Sequence, residues 1–285
     1  QLGYFFFALV LSLAGVVLLW ICFFGTKEVY SSSDTRENGQ KTTSLLQSLK
    51  LLAKNDQLLI LCLAALFYLL AINILGGAQL YYVTYVLGDP ELFSYLLLYN
   101  ILVGLIGSLL FPRLVKRFGK KTVFAGCIVL MVLGSLLIFF VAGSSLALIL
   151  VLIFLAGILQ QLVTLLVWVL QVIMVSDTVD YGEWKTGVRL EGLVYSVFLF
   201  VLKLGLALSG ALVGWILGYI GYVANASQST STALGQLVFI LALFALPPAL
   251  LLLAAFIMLR FYKLTEKKLA EIVEELEKWR TRKRK

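Results

Sequence analysis

The sequence predicts an all-α protein embedded in a membrane, and three observations indicate this fold class. First, 61% of its 285 residues are hydrophobic and only 13% are charged, whereas a soluble domain is typically about 25% charged. Second, the apolar residues form long runs of the roughly 20 residues that a helix needs to cross a bilayer. Third, the positive charges fall in alternate connections between these runs, an arrangement typical of multi-pass membrane proteins.

Seven runs define the predicted membrane-spanning helices. They cover residues 2–24, 58–87, 92–111, 122–142, 146–175, 193–223 and 234–259. All but one of the 23 Lys and Arg residues lie after the first, third, fifth or seventh run. The positive-inside rule therefore predicts that these connections and the C-terminus face the cytoplasm. This pattern explains the net charge of +8, and we expect no nucleic-acid partner.

The composition predicts four segments. Residues 1–26 hold one helix, residues 27–57 form a polar, Ser-rich cytoplasmic loop, and residues 58–262 form a six-helix bundle. Residues 263–285 carry apolar residues at helical spacing, which predicts an amphipathic helix on the inner leaflet, with a solvated tail as the alternative. Because Gln1 is one residue from an apolar run and no initiator Met precedes it, we expect a piece of a longer protein.

A lysine stands inside the sixth run. Lys203 lies ten residues into it, about 15 Å at 1.5 Å per residue, and so near the middle of the membrane. An unpaired ammonium there costs at least about 2.5 kcal/mol, so we expect an anion or a water-filled cavity beside it. The alternative is a lysine that snorkels to one surface. Ala207, Gly210 and Gly214 follow on the same helix side and leave room for a ligand or for another helix.

The fifth run carries a polar stripe. Gln161, Thr164, Trp168 and Gln171 recur at spacings of three, four and three residues, and Asn73 lies in the second run. An indole beside amide and hydroxyl groups suits a sugar, whose C–H face packs on the ring while its hydroxyls bond the amides. Hydrogen bonding between helices is the alternative.

The connection at residues 177–192 is rich in charges of both signs. Asp177, Asp180, Glu183 and Arg189 lie there and predict a salt-bridge cluster that clamps neighbouring loops in one state and releases them in another. A solvated loop is the alternative. The chain has no histidine, and its three cysteines lie within apolar runs. We therefore expect no enzyme activity, no metal site and no cofactor.

This region also carries a family resemblance. The main motif is Val-Asp-Tyr-Gly-Glu-Trp-Lys-Thr-Gly at residues 179–187, followed by Arg189, Glu191-Gly192 and Lys203. Two further stretches support the same resemblance: Phe-Pro-Arg-Leu-Val-Lys at residues 111–116 and Trp-Val-Leu-Gln-Val-Ile-Met at residues 168–174. In these stretches the chain resembles the glycoside–pentoside–hexuronide cation symporter family of the major facilitator superfamily.

The resemblance implies a twelve-helix design of two bundles in the bacterial inner membrane. It assigns the first run to the sixth helix and the other runs to the second bundle, with helices one to five and their cation-binding carboxylates in a missing N-terminal bundle. It implies symport of a sugar or glycoside with sodium or a proton by alternating access. Lys203 would then lie near the cation and sugar sites, Trp168 would border the sugar, and Asp177, Asp180 and Arg189 would belong to the cytoplasmic gate.

The sugar itself stays open. Phe198 and Leu199 stand where a family member has polar residues that face its sugar. A glycoside, a pentoside and a hexuronide are all compatible with the sequence.

Two other functions compete with transport. Seven helices and a membrane lysine suggest a retinal-binding protein or a receptor, but Lys203 is in the sixth run and lacks an Asp counter-ion; a visible absorbance band after retinal addition would identify such a protein. The other is a non-transporting half that serves as an assembly subunit. The upstream coding sequence would distinguish it from a transporter.

Overall fold

The computed structural model describes residues 2–25, 50–81, 102–105, 109, 112–139, 146–219 and 246–284. In this part of the chain the longer helices are α1 (Leu2–Gly25), α2 (Asp56–Tyr81), α3 (Lys120–Phe139), α4 (Leu146–Thr186), α5 (Glu191–Tyr219), α6 (Leu246–Phe261) and α7 (Glu266–Arg284). No strand occurs among the described residues, which confirms the predicted all-α class. Most of the third predicted run and the start of the seventh lie outside them.

Several helices match the length and composition of membrane spans. Within the described ranges, four stretches qualify alone, namely Phe5–Gly25, Asp56–Gly77, Val163–Thr186 and Glu191–Ile216. Up to six qualify there when each of two bent helix pairs counts as one span. The chain divides into two units, Gln1–Gln47 and Ser48–Lys285. The first contains α1, whose 24 residues include no charged side chain.

The second unit is a helical bundle around α2. Helix α2 packs against α5, α6 and α4, while α3 packs against α4 and α6. Tyr68, Phe124, Leu166 and Met174 are among its largest fully buried side chains. Gly205 permits the close crossing of α5 over α2, since a Cβ there would lie 3.1 Å from the Cβ of Leu69. Small residues at such crossings let two helix backbones approach and gain dispersion contacts.

Helix α2 begins two residues before the predicted bundle boundary, inside the segment 27–57. Asn55 is its N-cap, because its side-chain oxygen accepts a hydrogen bond from the backbone N–H of Leu58 at 3.1 Å. Asp56 then places a negative charge in the first turn, where the helix dipole favours it.

The expected loop at residues 177–192 is wrong over most of its length. Helix α4 continues through Asp177, Asp180 and Glu183 to Thr186, and the connection to α5 spans only residues 187–190. Gly187 ends the helix: it adopts φ of 73°, and its N–H donates to the Glu183 carbonyl at 2.8 Å. Gly182 instead leaves room for Asn55, whose Nδ2 would lie 2.8 Å from a Cβ at that position.

A short helix, Pro112–Phe118, precedes α3, and the two are bent by 114° at Gly119. Gly119 has φ of 79°, a left-handed conformation that glycine adopts without steric cost. Leu114 and Val115 of the short helix pack against the bundle core.

Helix α7 packs on the protein itself. Its Ile272 and Leu276 are buried in the bundle core, and α7 contacts the end of α4. The alternative of a solvated tail does not describe this arrangement, whereas contact of the helix with the inner leaflet, where Trp279 stays exposed, remains a prediction. The two apolar residues are four apart on one face, so burying that face against the protein leaves the charged face in solvent.

Candidate functional site

Charged residues from five parts of the bundle, namely α2, α3, α4, the α4–α5 connection and α7, meet at one end of it. We call this group the ion-pair cluster. It consists of Asp56, Lys120, Asp177, Asp180, Glu183, Lys185, Arg189 and Arg280. The four charged residues named from the sequence, Asp177, Asp180, Glu183 and Arg189, all belong to it.

Arg189 lies in the short connection between α4 and α5 and contacts three carboxylates. Its guanidinium is 2.8 Å from Asp180, 3.0 Å from Glu183 and 3.0 Å from Glu191. Burial alone would lower the pKa of Arg189, but the hydrogen bonds to Asp180, Glu183 and Glu191 outweigh it and raise the pKa above its usual value. The guanidinium is therefore fixed as a cation that joins the end of α4 to the start of α5.

A second ion pair joins α4 to α3. The Lys120 ammonium is 2.5 Å from Asp177, and only 20% and 12% of the two side chains are exposed. The backbone N–H of Lys120 also donates to Glu266 at 2.6 Å. A carboxylate from α7 thus binds the N-terminus of α3, where free N–H groups and the helix dipole favour an anion.

A third group of contacts joins the start of α2 to the end of α4. Asp56 pairs with Lys185 and accepts a hydrogen bond from the Tyr181 hydroxyl at 2.9 Å. Asn55 donates to the Thr178 carbonyl at 2.8 Å. These bonds connect residues more than 120 positions apart in the chain, so they constrain how two helices sit together.

The sequence did not predict that the C-terminal helix takes part. Arg280 of α7 is 2.6 Å from Glu183, and Glu275 accepts a hydrogen bond from the Trp184 indole at 2.7 Å. Lys120, the partner of Asp177, follows the third predicted run and so comes from a neighbouring connection. The spacing of Asp177, Asp180 and Glu183 at three residues was the available signal, since it places the acids on one helix face.

The polar residues named in the membrane-spanning helices are arranged differently. Lys203 is exposed on α5, and it makes no ion pair or hydrogen bond with any residue that the structure describes. Further along α5, a Cβ added at Gly210 or Gly214 would meet no atom within 4 Å among the described residues. Among the described residues nothing lies within 4 Å of this side of α5 at the two glycines, while the side bearing Gly205 packs on α2.

The predicted stripe on α4 divides between two environments. Trp168 is 36% exposed, whereas Gln171 is fully buried. Thr164 is half-buried and donates to the Gln160 carbonyl of its own helix at 2.7 Å; Gln161 is half-buried too. Asn73 likewise donates to its own helix, at the Leu69 carbonyl, at 2.8 Å. No hydrogen bond joins these residues to one another in the described ranges.

Gln171 is a polar group without a partner. Neither its amide nitrogen nor its amide oxygen forms a hydrogen bond in the described part of the protein. A buried unsatisfied amide costs about 1–3 kcal/mol. Gln160, about three turns earlier on the same helix, avoids this cost because its amide donates a hydrogen bond to the Ser135 hydroxyl of α3 at 3.2 Å.

Across the described ranges, no group of three or more His, Cys, Asp or Glu side chains is arranged to hold a metal ion. The described residues thus offer two kinds of candidate site: the exposed side chains of Trp168 on α4 and Lys203 on α5, and the ion-pair cluster at one end of the bundle.

Several long apolar helices and ion pairs between their ends define a multi-pass α-helical membrane protein. The family of MFS/sugar transport proteins matches residues 1–266, and the chain belongs to this family. This confirms the resemblance to the glycoside–pentoside–hexuronide cation symporters.

Three relatives illustrate the range of the family. The raffinose carrier protein of Pediococcus pentosaceus is 46% identical over 281 residues, which cover 98% of this chain and 43% of the relative. The lactose permease of Lactobacillus delbrueckii subsp. bulgaricus is 46% identical over 275 residues, 96% of this chain and 43% of the relative. An Escherichia coli (strain K12) protein, proposed by its name to export 2,3-dihydroxypropane-1-sulfonate, is 44% identical over 279 residues, 97% of this chain and 58% of the relative. The chain thus spans about half the length of these relatives.

Proposed function

We propose that the complete protein carries a sugar or glycoside across the membrane together with sodium or a proton, by alternating access. This chain supplies the bundle of α2 to α6, one preceding helix and the C-terminal helix α7. The observation that carries the proposal is the family match over residues 1–266. The names of the raffinose carrier and the lactose permease support a sugar as the substrate.

Two exposed side chains, Trp168 of α4 and Lys203 of α5, support a role in substrate binding. Trp168 retains an exposed indole face, which can pack on the C–H face of a sugar ring. Lys203 presents an ammonium that no described residue neutralises. A cation in a low-dielectric region requires an anion or water, and carboxylates that also attract the coupling cation would meet this requirement.

The ion-pair cluster supports a role as a gate. Its bonds join α2, α3, α4, the α4–α5 connection and α7, and most are partly exposed to solvent. Partly exposed ion pairs are each worth about 1 kcal/mol or less, so a set of them can hold one arrangement of helix ends and still exchange it for another.

Transport by the complete coding sequence tests the proposal. Membrane vesicles are incubated with radiolabelled raffinose, lactose or a pentoside under an imposed sodium gradient, an imposed proton gradient, or neither. We expect at least one substrate to accumulate above its equilibrium level with one gradient and to lose accumulation when an ionophore collapses that gradient. Equal uptake with and without gradients would exclude coupling, and no uptake of any substrate would favour an assembly subunit.

A second candidate is the transport of a small organic anion. Two observations favour it. No described residue neutralises the charge of Lys203, and the name of the E. coli relative gives a sulfonate as its proposed substrate. The same vesicles distinguish the candidates when 2,3-dihydroxypropane-1-sulfonate and a glucuronide replace the neutral sugars. If the anion is the substrate, Lys203→Ala should lower anion uptake more than neutral sugar uptake.

A further inference from the structure

The five bases at residues 113–121 divide into two groups. Lys120 pairs with Asp177 at 2.5 Å, and Lys121 donates to the Tyr262 carbonyl at 2.8 Å. Arg113, Lys116 and Arg117 belong to the short helix before α3 and are all exposed. None of these three forms an ion pair with a residue in the described ranges. Three cations on two turns of helix therefore lack an anion within the described protein.

The bend at Gly119 sets the direction of the helix that carries these cations relative to α3. The short helix Pro112–Phe118 is bent by 114° from α3, so it runs closer to perpendicular than parallel to a helix that packs along the bundle. If α3 crosses the bilayer, a helix perpendicular to it lies in the plane of the bilayer surface. We call Pro112–Phe118 the interfacial helix.

The interfacial helix has the two faces that a bilayer surface requires. Leu114 and Val115 pack on the bundle core, which anchors the helix to the protein. Phe118 is 52% exposed, and the Arg117 guanidinium lies 5.3 Å from the centre of its ring. An exposed aromatic beside exposed bases is typical of helices that sit at the boundary between headgroups and acyl chains.

We propose that the interfacial helix binds the phosphate headgroup of an anionic phospholipid in the cytoplasmic leaflet. Charge complementarity supports this occupant: Arg113 and Arg117 offer planar donor pairs that match phosphate oxygens, and Lys116 adds a point charge. The positive-inside pattern orients this end of the bundle towards the cytoplasm, where the leaflet carries anionic lipids that attract clustered bases. The proposed binding uses neither Lys203 nor Trp168 and does not depend on which substrate is carried.

Titration of the purified chain with fluorescent phosphatidylglycerol in a neutral detergent tests the proposal. The variant Arg113→Gln/Lys116→Gln/Arg117→Gln is compared with Lys263→Gln/Lys267→Gln/Lys268→Gln, which removes three other bases from the same end of the protein. Fluorescence anisotropy should show the dissociation constant of the first variant rising at least about tenfold and that of the control rising much less. Equal losses in both variants would mean that general charge attracts the lipid, and an unchanged first variant would overturn the proposal.

Two further arms separate the lipid from other occupants. Fluorescent phosphatidylcholine should bind weakly and equally to all variants, since it carries no net charge. Inorganic phosphate at the same concentration should fail to displace phosphatidylglycerol; complete displacement would identify a soluble anion as the occupant. If the triple variant does not fold by circular dichroism, the single variants Arg113→Gln and Arg117→Gln should each weaken the lipid in part, and no weakening in either would overturn the proposal.

Discussion

The ion-pair cluster and the polar residues that the sequence assigned to substrate binding form their bonds in opposite ways. In the cluster, each charged group reaches across to another element, as Arg189 does to Asp180 and Arg280 does to Glu183. In the spanning helices, Asn73 and Thr164 bond their own backbone. Lys203 and Gln171 bond nothing in the described protein.

This difference separates groups that position helices from groups that remain available. A hydrogen bond within one helix does not restrict the position of the neighbouring helix, whereas an ion pair between two helices restricts how they lie relative to each other. The cluster therefore constrains the bundle at one end, and the spanning helices retain polar groups that a ligand or a further segment of protein can satisfy.

Lys203 should show the largest effect. We expect Lys203→Ala in the complete protein to lower coupled uptake by about 100-fold or more. The reason is the contact proposed there between Lys203 and carboxylates inside the membrane: losing one partner of such a desolvated charge pair costs about 3 kcal/mol. The measurement is uptake under an ion gradient, normalised to the amount of protein in the membrane. Lys278→Ala is the matched control, since Lys278 is an exposed lysine of α7 that pairs with Glu274. Normal uptake by Lys203→Ala would show that the lysine merely snorkels.

The Lys120–Asp177 pair should dominate the stability of the cluster. Because both side chains are mostly buried, Asp177→Leu should lower the free energy of unfolding by about 2–3 kcal/mol, leaving the ammonium without its partner. Lys120→Met should do the same. The double variant Lys120→Met/Asp177→Leu should cost clearly less than the sum of the two, because no buried charge then remains unpaired.

Thermal unfolding of the four proteins in one detergent completes this double-mutant cycle. The backbone bond from Lys120 to Glu266 is common to all four and does not enter the coupling energy. Additive losses would show that the pair contributes nothing beyond two independent side chains.

The fold class was predictable because it depends on composition and on runs of about 20 apolar residues. The ends of the helices were harder to predict. The charged residues after Val175 were expected to form a loop. Between Val175 and Gly187, however, there is no proline and no glycine in the left-handed conformation, and helix α4 continues to Thr186. Acids spaced three apart fit a helix as well as they fit a loop, so charge alone did not mark the boundary.

The site was predictable in its residue types and not in its pairings. The acids of α4 were named from the sequence, but their contact with Arg280 joins residues 97 positions apart. Such a pairing depends on how α7 packs, which charge patterning does not encode. Likewise the spacing of Trp168 and Gln171 correctly suggested one face, since three residues place two side chains only about 60° apart around a helix. The edge of the buried core falls between them, and spacing alone does not locate that edge.

Trp168 should affect substrate affinity more than stability. If its exposed indole stacks on a sugar ring, Trp168→Ala in the complete transporter should weaken sugar binding by more than about 1 kcal/mol, and Trp168→Phe by less, because the smaller ring keeps part of the contact. Equilibrium binding of the transported sugar measures both. Trp215→Ala is the control, since Trp215 is 75% exposed on α5. Unchanged affinity in both Trp168 variants would assign the indole to packing with lipid or another helix.

Replacing Gln171 should have the smallest effect, and it should stabilise the protein instead of impairing it. Its buried amide has no hydrogen-bond partner in the described protein, so Gln171→Met, which fills similar space with an unbranched apolar chain, should raise the free energy of unfolding by about 1 kcal/mol. Sugar affinity should not change, because the side chain is fully buried. Gln160→Met is the matched control: Gln160 donates to Ser135, so the same replacement there should destabilise. If Gln171→Met instead weakens sugar binding, the amide meets the substrate in another conformation of the bundle, and the role predicted from the sequence would stand.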